Sequence, residues 1–501
     1  MIKILKAAAM FVCASAVVLS AASCKSAQVE NTSGGTSIVF DENSYVPKTI
    51  NVNGTKIKIR AYENIVYVKN PVDTKYEAMN IYIPEEYFSG GIINGYTSKT
   101  APIFLPNQIG GYMPATPGVV DDGTNTDAPA FGPGRSGPNS IALALANGMV
   151  VASPGARGRT SSNGKAPSCI VDLKAAVRYL RYNDKIIPGD SEKIISNGTS
   201  AGGALSSLLG ASGNSKDYEP YLKELGAAEE RDDIYAVSAY CPITNLENAN
   251  TAYEWMFNNV YEYQKIEMTM LDYHMERKVV KGELTEDQIK ISKDLAAMFP
   301  DYVNSLNLKL LDSTSLTLDS DGNGTFKDYV KSVIISSAQK ALDSGKSMSN
   351  YSWVTVENGK VTDVDFESYK SYLGRMKTPG AFDAVDLSTG ENQLFGTSEV
   401  DKKHFTDYAL EHDTANGTMA DSSIVKMMNA MNYVSSEGAS KYWRIRAGTK
   451  DSDTASAISA LLSLELQMNG KQVDYALPWD VPHSGDYDLP ELFEWINQIC
   501  K

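Results

Sequence analysis

Short segments of alternating apolar and polar residues open the folded part of the chain. Residues 56–60 follow an Asn53-Gly54 turn, and residues 79–83 precede Pro84. Alternation with a period of two places one face of a strand in the core and the other towards solvent. Both segments are predicted to be antiparallel strands.

Farther along the chain, the predicted strands are mostly uninterrupted apolar runs, as in strands buried on both faces. They comprise residues 103–105, 149–152, 193–197, 234–239, 442–446 and 473–477. Helices are predicted between and after them, at residues 172–181, from about 203 to 208, from about 454, and at 489–499. In the first helix, four apolar residues share one side at the spacing of a core-facing helix. The alternation predicts an α/β fold with a mostly parallel sheet flanked by helices.

The region before the last two predicted strands has a different composition. It contains helical stretches rich in methionine and aromatic residues, such as Trp255, Met256 and Phe257, separated by polar turns. A chain of 501 residues is long for one core, so an insertion is expected. We interpret residues 246–415 as an inserted lid domain, with residues 38–245 and 416–501 as the two parts of the core.

The N-terminus resembles a bacterial lipoprotein signal. Lys3 and Lys6 precede an apolar run that is too short to span a bilayer permanently, and Ala21-Ala22-Ser23 stands directly before Cys24. We predict a signal peptide over residues 1–23, lipidation of Cys24 and a flexible tether over residues 24–37. The protein would then cross the inner membrane and stay anchored in the cell envelope. A plain secretory signal, with Cys24 incidental, is the alternative.

Composition and charge narrow the functional classes. With 43% hydrophobic and 21% charged residues, the chain is an ordinary globular protein. A formal net charge of −15 argues against nucleic-acid binding, because an acidic surface repels phosphates. Beyond the signal, Cys169, Cys241 and Cys500 are odd in number and lack C-x-x-C spacing. A disulfide framework is not expected. A single disulfide between two of these three cysteines is the alternative.

The strongest chemical motif is Gly198-Thr199-Ser200-Ala201-Gly202, followed by Gly203. It lies between a predicted strand and a predicted helix, the context of the nucleophile elbow in the α/β-hydrolase fold. Glycine is needed because the turn is tight, and the helix N-terminus stabilises negative charge. We predict Ser200 as the nucleophile; the alternative is a glycine-rich turn without chemistry.

A serine hydroxyl needs a base to remove its proton, and the chain has four histidines. His483 follows the last predicted strand and precedes the final helix, where this fold carries its base. His274 falls in the predicted lid, and His404 and His412 lie near its end, where surface positions are expected. We therefore predict His483 as the base.

A carboxylate must orient the histidine and stabilise the imidazolium. Asp451 lies just past the predicted strand at residues 442–446, which gives the chain order Ser, Asp, His. For Asp451, and more so for Asp453, the alternative is an N-cap of the helix predicted from Thr454.

Two backbone amides are expected to bind the oxyanion. Ala201 follows the nucleophile and supplies the first. The loop after the strand at residues 103–105 contains Gly110 and Gly111, and we assign the second amide to Gly111. The alternative is an ordinary glycine turn.

These motifs resemble those of the bacterial tannases, esterases that release gallic acid from gallate esters. The likeness covers most of the mature chain and includes residues 198–203, 377–383, 391–392, 450–454 and 482–485. The resemblance implies that Lys377, Glu391 and Asp453 grip the galloyl hydroxyls and that Ile243 lies against the ring. The alternative for Lys377 and Glu391 is a solvated surface pair.

The resemblance implies a serine esterase for galloyl esters, with a small phenolic ester as its partner and no required cofactor. Fungal tannases and related feruloyl esterases carry cysteines where this chain has Thr199 and Pro482, so those relatives are disfavoured. The alternatives are a feruloyl, hydroxycinnamoyl or general carboxylesterase, and a non-catalytic surface lipoprotein. The oligomeric state is left open.

One further segment resembles the start of a calcium-binding loop. Asp319, Asp321 and Asn323 have the right spacing, but the twelfth position is Val330 and not a bidentate glutamate. An Asx-rich turn is the preferred interpretation, and a structural calcium ion is the alternative.

Overall fold

The centre of the molecule is a mixed β-sheet. The computed structural model describes residues 35–123, 137–271 and 274–501, without the side chains of residues 266–277. The strands in these ranges are β1 (Val46–Val52), β2 (Thr55–Val66), β3 (Ala78–Pro84), β4 (Pro102–Pro106), β5 (Val150–Pro154), β6 (Asp190–Thr199), β7 (Ala236–Tyr240), β8 (Glu262–Leu271), β9 (His274–Glu283), β10 (Val354–Glu357), β11 (Lys360–Val364), β12 (Tyr442–Arg446) and β13 (Gln472–Ala476).

Within the described ranges, nine strands form the main sheet in the order β1-β2-β3-β5-β4-β6-β7-β12-β13. The pairs from β1 to β3, and β3 with β5, are antiparallel, whereas β5, β4, β6, β7, β12 and β13 run parallel. This is the sheet of an α/β-hydrolase, so the predicted fold class is confirmed. All residues of β4, β5 and β7 are buried, as their apolar runs indicate.

The sequence pattern does not predict β1. This edge strand contains Pro47, and only Ile50 and Val52 are buried. Because β1 pairs only with β2 in the sheet, its position depends on that neighbour more than on its own apolar content.

Helices and 3₁₀ turns connect and cover the strands. The α-helices in the described ranges are α1 (Ser140–Ala146), α2 (Ser168–Tyr182), α3 (Ala201–Ala211), α4 (Glu219–Glu224), α5 (Leu246–Phe257), α6 (Glu286–Ser305), α7 (Thr325–Asp343), α8 (Phe366–Leu373), α9 (Gly390–Leu394), α10 (Asp407–Glu411), α11 (Ser422–Met427), α12 (Ser456–Met468) and α13 (Leu489–Cys500). Helix α3 packs on β6 and β7, and α12 packs on β12 and β13. The Phe493 ring of α13 contacts Phe104 of β4 at 5.6 Å between centroids. None of the described helices is both long and apolar enough to cross a bilayer.

Residues 241–441, here called the intervening segment, separate β7 from β12. They carry α5 to α11 and the two small hairpins β8-β9 and β10-β11. The Trp255 ring of α5 lies among Phe299, Phe326 and Phe366, with centroids 5.3, 5.9 and 5.6 Å away. Aromatic residues predicted for a lid therefore form a core inside this segment. The limits 246 and 415 stay a prediction.

From residue 36 onward, the described residues form one compact unit. The predicted signal peptide, Cys24 and nearly all of the tether lie outside the described residues.

Candidate active site

Ser200 occupies a strained turn between β6 and α3. Its φ of 60° and ψ of −123° are sparsely populated for a residue with a side chain, which indicates a functional constraint. The Ser200 amide donates to the Tyr240 carbonyl at 2.9 Å. A Cβ on Gly198 would lie 2.3 Å from the Gly202 carbonyl oxygen, so this position has no room for a side chain. The turn thus has the geometry expected of a nucleophile elbow.

The loop after β4 is held against this elbow by Asn107. Its side-chain nitrogen, Nδ2, donates to the Asn197 carbonyl, the Gly202 carbonyl and the Ser206 hydroxyl at 3.0 to 3.2 Å. A Cβ on Gly202 would lie 2.5 Å from Asn107 Oδ1, so Gly202 permits this approach. The sequence interpretation missed Asn107, although it directly follows a buried strand, where polar residues of this fold meet the site.

Both predicted oxyanion donors belong to these two elements. Ala201 is the first residue of α3, where backbone amides have no partner within the helix. Gly111 adopts φ +54°, a conformation that favours glycine. Its carbonyl accepts a hydrogen bond from Arg159 Nε at 2.7 Å, which fixes the peptide that follows, between Gly111 and Tyr112.

His483 and Asp451 form the predicted pair. His483 Nδ1 lies 2.9 Å from Asp451 Oδ2. Asp451 Oδ1 accepts the backbone amides of Asp453 at 2.9 Å and Thr454 at 3.4 Å, which fixes the carboxylate. The helix predicted from Thr454 begins at Ser456, and its N-cap, Ala455, makes no side-chain cap. Asp453 is therefore not a helix cap.

The loop of His483 packs directly on the elbow. A Cβ on Gly485 would lie 1.8 Å from Thr199 Oγ1, so glycine is required for this contact. His483 Nε2 lies 3.8 Å from the sulfur of Cys241, which follows Tyr240. Because Tyr240 also binds the Ser200 amide, the serine and the histidine stand on neighbouring loops.

The electrostatic environment of His483 favours its charged form. Burial lowers the pKa of the imidazole, but the neighbouring carboxylates, chiefly Asp451, outweigh that effect and raise the pKa well above its ordinary value. A positive charge that develops on the ring during proton transfer is thereby stabilised.

Asp453 connects His483 to the residues implied for galloyl binding. Its Oδ2 lies 3.5 Å from His483 Nε2, and its Oδ1 lies 3.3 Å from Lys377 Nζ. Lys377 also donates to the Asp453 carbonyl at 2.8 Å. Burial acts to raise the pKa of Asp453, but Lys377 and His483 lower it below its ordinary value.

Glu391 belongs to the same group of charges. Burial raises the pKa of Glu391, while Lys377 and Arg159 act in the opposite direction. Lys377 and Glu391 are partly buried, so they are not the solvated surface pair of the alternative interpretation. A partly buried carboxyl whose charge is partly compensated is suited to binding hydroxyl groups.

Ile243 lies beside the nucleophile. Its amide donates to the Ser200 carbonyl at 3.4 Å, and its carbonyl accepts the Tyr112 hydroxyl at 3.2 Å. The residue is 4% exposed. These two bonds fix the backbone of Ile243 next to Ser200.

Tyr253 is a second residue that the sequence interpretation missed. Its buried hydroxyl accepts the amides of Met376 at 3.1 Å and Lys377 at 3.0 Å, and donates to the Ser452 carbonyl at 3.0 Å. Nothing in the sequence distinguishes this tyrosine from the core aromatics around it.

The surface position expected for His404 is wrong. The side chain is fully buried, with Nδ1 2.8 Å from Asp383 Oδ1 and Nε2 3.2 Å from Asp413 Oδ1. The reason is that Asp383 organises this loop, also accepting the amides of Phe405 and Thr406 at 2.8 Å. His412 is exposed, as expected, and the His274 side chain lies outside the described residues.

The predicted Asx turn is present near residue 320. Asp319 Oδ1 accepts the amides of Asp321 at 3.0 Å and Asn323 at 2.9 Å, and Lys327 Nζ donates to Asn323 Oδ1 at 3.0 Å. These side chains therefore stabilise the turn itself. A calcium ion at this turn stays a hypothesis.

Cys169, Cys241 and Cys500 are free and buried, so no two of them form the single bridge that the sequence left open.

Comparison with known proteins relates this site to a family. The BD-FAE family profile matches residues 135–294. A tannase from Fusobacterium nucleatum is 52% identical, with a TM-score of 0.88, over 93% of this chain and all of the other. A tannase from Lactobacillus plantarum is 42% identical, with a TM-score of 0.87, over 93% of this chain and all of the other.

A tannin acyl hydrolase solved in complex with ethyl gallate is 43% identical, with a TM-score of 0.86, over 93% of this chain and 99% of the other. Comparison with curated proteins gave no match. Since these likenesses extend over nearly the whole chain, the protein belongs to the bacterial tannases, a family of ester hydrolases with the α/β-hydrolase fold.

Proposed function

We propose that the protein hydrolyses galloyl esters and releases gallic acid through a covalent acyl-enzyme. The placement of Asp453 carries this proposal. One carboxylate lies between the ammonium group of Lys377, at 3.3 Å, and the imidazole of His483, at 3.5 Å. The carboxylate that we assign to the recognition of phenolic hydroxyls is thus next to the histidine that we assign as the base.

In the proposed mechanism, His483 Nε2 takes the proton of Ser200 as Oγ attacks the ester carbonyl. Asp451 holds the ring through Nδ1, and the amides of Ala201 and Gly111 stabilise the oxyanion. The imidazolium then gives its proton to the departing alcohol. Water, activated by the same histidine, attacks the acyl-enzyme and releases the acid.

Selectivity would come from the penalty for unpaired buried charge. Lys377 donates hydrogen bonds, and Asp453 and Glu391 accept them, which suits three adjacent phenols. A ring without hydroxyls would leave these groups without partners in a partly dry site. Ile243 would contact the face of the galloyl ring.

The test compares methyl gallate, methyl ferulate and a simple acetate ester. Wild type is expected to prefer methyl gallate, and Ser200→Ala is expected to abolish turnover of all three. Equal rates on all three esters in wild type would remove the galloyl assignment but leave an esterase. No turnover of any ester would support the binding lipoprotein instead.

A second set of variants tests the specificity residues. Lys377→Ala and Asp453→Asn are expected to lower the gallate-to-acetate ratio of kcat/KM by about 10²-fold, because the phenol contacts are lost. Lys450→Ala is the matched control, since this half-exposed lysine pairs with Asp480 and has no galloyl role. An unchanged ratio in Lys377→Ala would contradict the proposed contacts.

We also propose that the intervening segment works as a lid, since it supplies both Lys377 and Glu391 to the site.

The protein is further proposed to be a lipoprotein of the cell envelope, anchored through Cys24. The small residues before Cys24 support this localisation. Cys24→Ala is expected to move the protein from the membrane fraction to the soluble fraction; an unchanged distribution would contradict the anchor.

A further inference from the structure

His483 has a carboxylate close to each of its two ring nitrogens. Asp451 Oδ2 lies 2.9 Å from Nδ1, and Asp453 Oδ2 lies 3.5 Å from Nε2. Because only the imidazolium carries a proton on both nitrogens, this arrangement favours the charged ring. The base of the proposed mechanism must instead be neutral, with its Nε2 lone pair available to the Ser200 proton. The free site therefore favours the form of His483 that cannot act as a base.

Asp453 keeps its negative charge because of the lysine on its other oxygen. Lys377 Nζ lies 3.3 Å from Asp453 Oδ1 and donates to the Asp453 carbonyl oxygen at 2.8 Å. Burial acts to raise the pKa of this carboxyl, but Lys377 and His483 together hold it below its ordinary value. Lys377 contacts Oδ1, which leaves Oδ2 on the side of His483.

Two more titratable side chains face this group of charges, Cys241 and Glu391. Cys241 Sγ lies 3.8 Å from Nε2 of the histidine, and burial raises the pKa of this thiol, so the sulfur is uncharged near neutral pH. Burial likewise raises the pKa of Glu391, and Lys377 and Arg159 counteract that effect. Asp453 is thus the carboxylate whose charge lies at Nε2.

We propose that Asp453 occupies His483 Nε2 in the free enzyme and releases it when galloyl hydroxyls bind, so that the acyl group activates its own general base. This step rests on the proposed function. Each phenolic hydroxyl that donates to Asp453 compensates part of the charge that held the imidazolium. The ring then loses its Nε2 proton to solvent, and the freed lone pair accepts the Ser200 proton. An ester without these hydroxyls leaves Asp453 paired with His483.

Histidine-selective NMR measures the protonation of the ring directly. The chain has four histidines, so isotope labelling of this residue type gives few resonances, and the His483 signal is the one lost in His483→Gln. In the inactive Ser200→Ala protein, addition of Asp453→Asn is expected to lower the proton affinity of His483 at least about tenfold. Methyl gallate is expected to lower it in Ser200→Ala alone. Methyl benzoate, which lacks only the hydroxyls, should leave it unchanged.

The matched control is Asp474→Asn, which removes a carboxylate that pairs with Arg446, and it should leave the His483 titration unchanged. The resonance of His404, buried between Asp383 and Asp413, reports whether each variant is folded. If Asp453→Asn does not fold, the comparison of methyl gallate with methyl benzoate decides.

The acid limb of kcat gives a second readout in wild type. Because the ring should lose its proton more readily with a galloyl group bound, kcat for methyl gallate is expected to persist to lower pH than kcat for methyl benzoate. In Asp453→Asn the two limbs should coincide. A purely structural role of Asp453 would change the rates without moving either limb.

Two results would overturn the proposal: an unchanged His483 titration in Asp453→Asn, or the same titration with methyl gallate and with methyl benzoate. Hydrolysis of methyl gallate by wild type is measured in parallel and reports on the galloyl assignment by itself. Failure of the coupling is thereby distinguished from failure of the proposed function.

Discussion

The hydroxyl of Tyr253 donates to the carbonyl of Ser452 at 3.0 Å. Ser452 stands between Asp451, the partner of His483, and Asp453, the partner of Lys377. The same hydroxyl accepts the amides of Met376 and Lys377. One buried side chain of α5 thus connects the loop of the two aspartates to the loop of the lysine, and so holds Lys377 near Asp451 and Asp453.

Tyr253→Phe is therefore expected to raise KM for methyl gallate about tenfold, because each lost hydrogen bond contributes roughly 1 kcal/mol. Turnover of methyl benzoate, which lacks the hydroxyls, should change much less. Tyr218→Phe is the control, since it removes a buried hydroxyl that donates to the Met427 carbonyl away from the site. Equal losses on both esters would indicate a purely structural role.

The raised pKa of His483 predicts the acid limb of the pH profile. The base works when neutral, so kcat/KM should rise with pH, with an inflection above the ordinary histidine value of about 6.5. In Asp451→Asn, burial remains while the main stabilising anion is lost, so the inflection should move to lower pH. The plateau should fall by roughly 10³–10⁴-fold.

The control for this profile is Asp474→Asn, which changes a carboxylate paired with Arg446. Its inflection should match that of wild type. An inflection that stays in place in Asp451→Asn would show that another group controls the limb.

A buried ion cluster is expected to support the fold behind the site. Asp232 accepts Lys174 Nζ at 2.8 Å and Arg178 Nε at 2.8 Å, and the side chains of Asp232 and Lys174 are fully buried. Asp232→Asn would remove the negative charge that pairs with Lys174 and Arg178. It should therefore lower the free energy of unfolding by about 3–5 kcal/mol. Urea denaturation measures this change.

The comparison variant is Lys290→Ala, which breaks an exposed pair with Asp294 on α6. This variant should lower the free energy of unfolding by only about 0.3–0.5 kcal/mol. If the two variants unfold at similar urea concentrations, the buried cluster around Asp232 is not a major source of stability.

The Asx turn predicts a calcium-independent melting temperature. Asp319→Ala should lower stability by about 1 kcal/mol, because two backbone amides lose their acceptor, and should do so equally with calcium or with a chelator. Thermal unfolding checks this. A melting temperature that rises with calcium in wild type, but not in Asp319→Ala, would establish the ion instead.

The sequence alone predicts the strands of the main sheet apart from β1, the elbow, and the chain order of Ser200, Asp451 and His483. These are local signals, because buried strands are apolar runs and a tight turn requires glycine at 198 and 202. By contrast, the contacts that Asn107 and Tyr253 make at the site join segments far apart in sequence. The burial of His404 likewise follows from Asp383, which its own neighbours do not reveal. Tertiary structure decided these positions, because hydrogen bonding and burial depend on which side chains meet after folding.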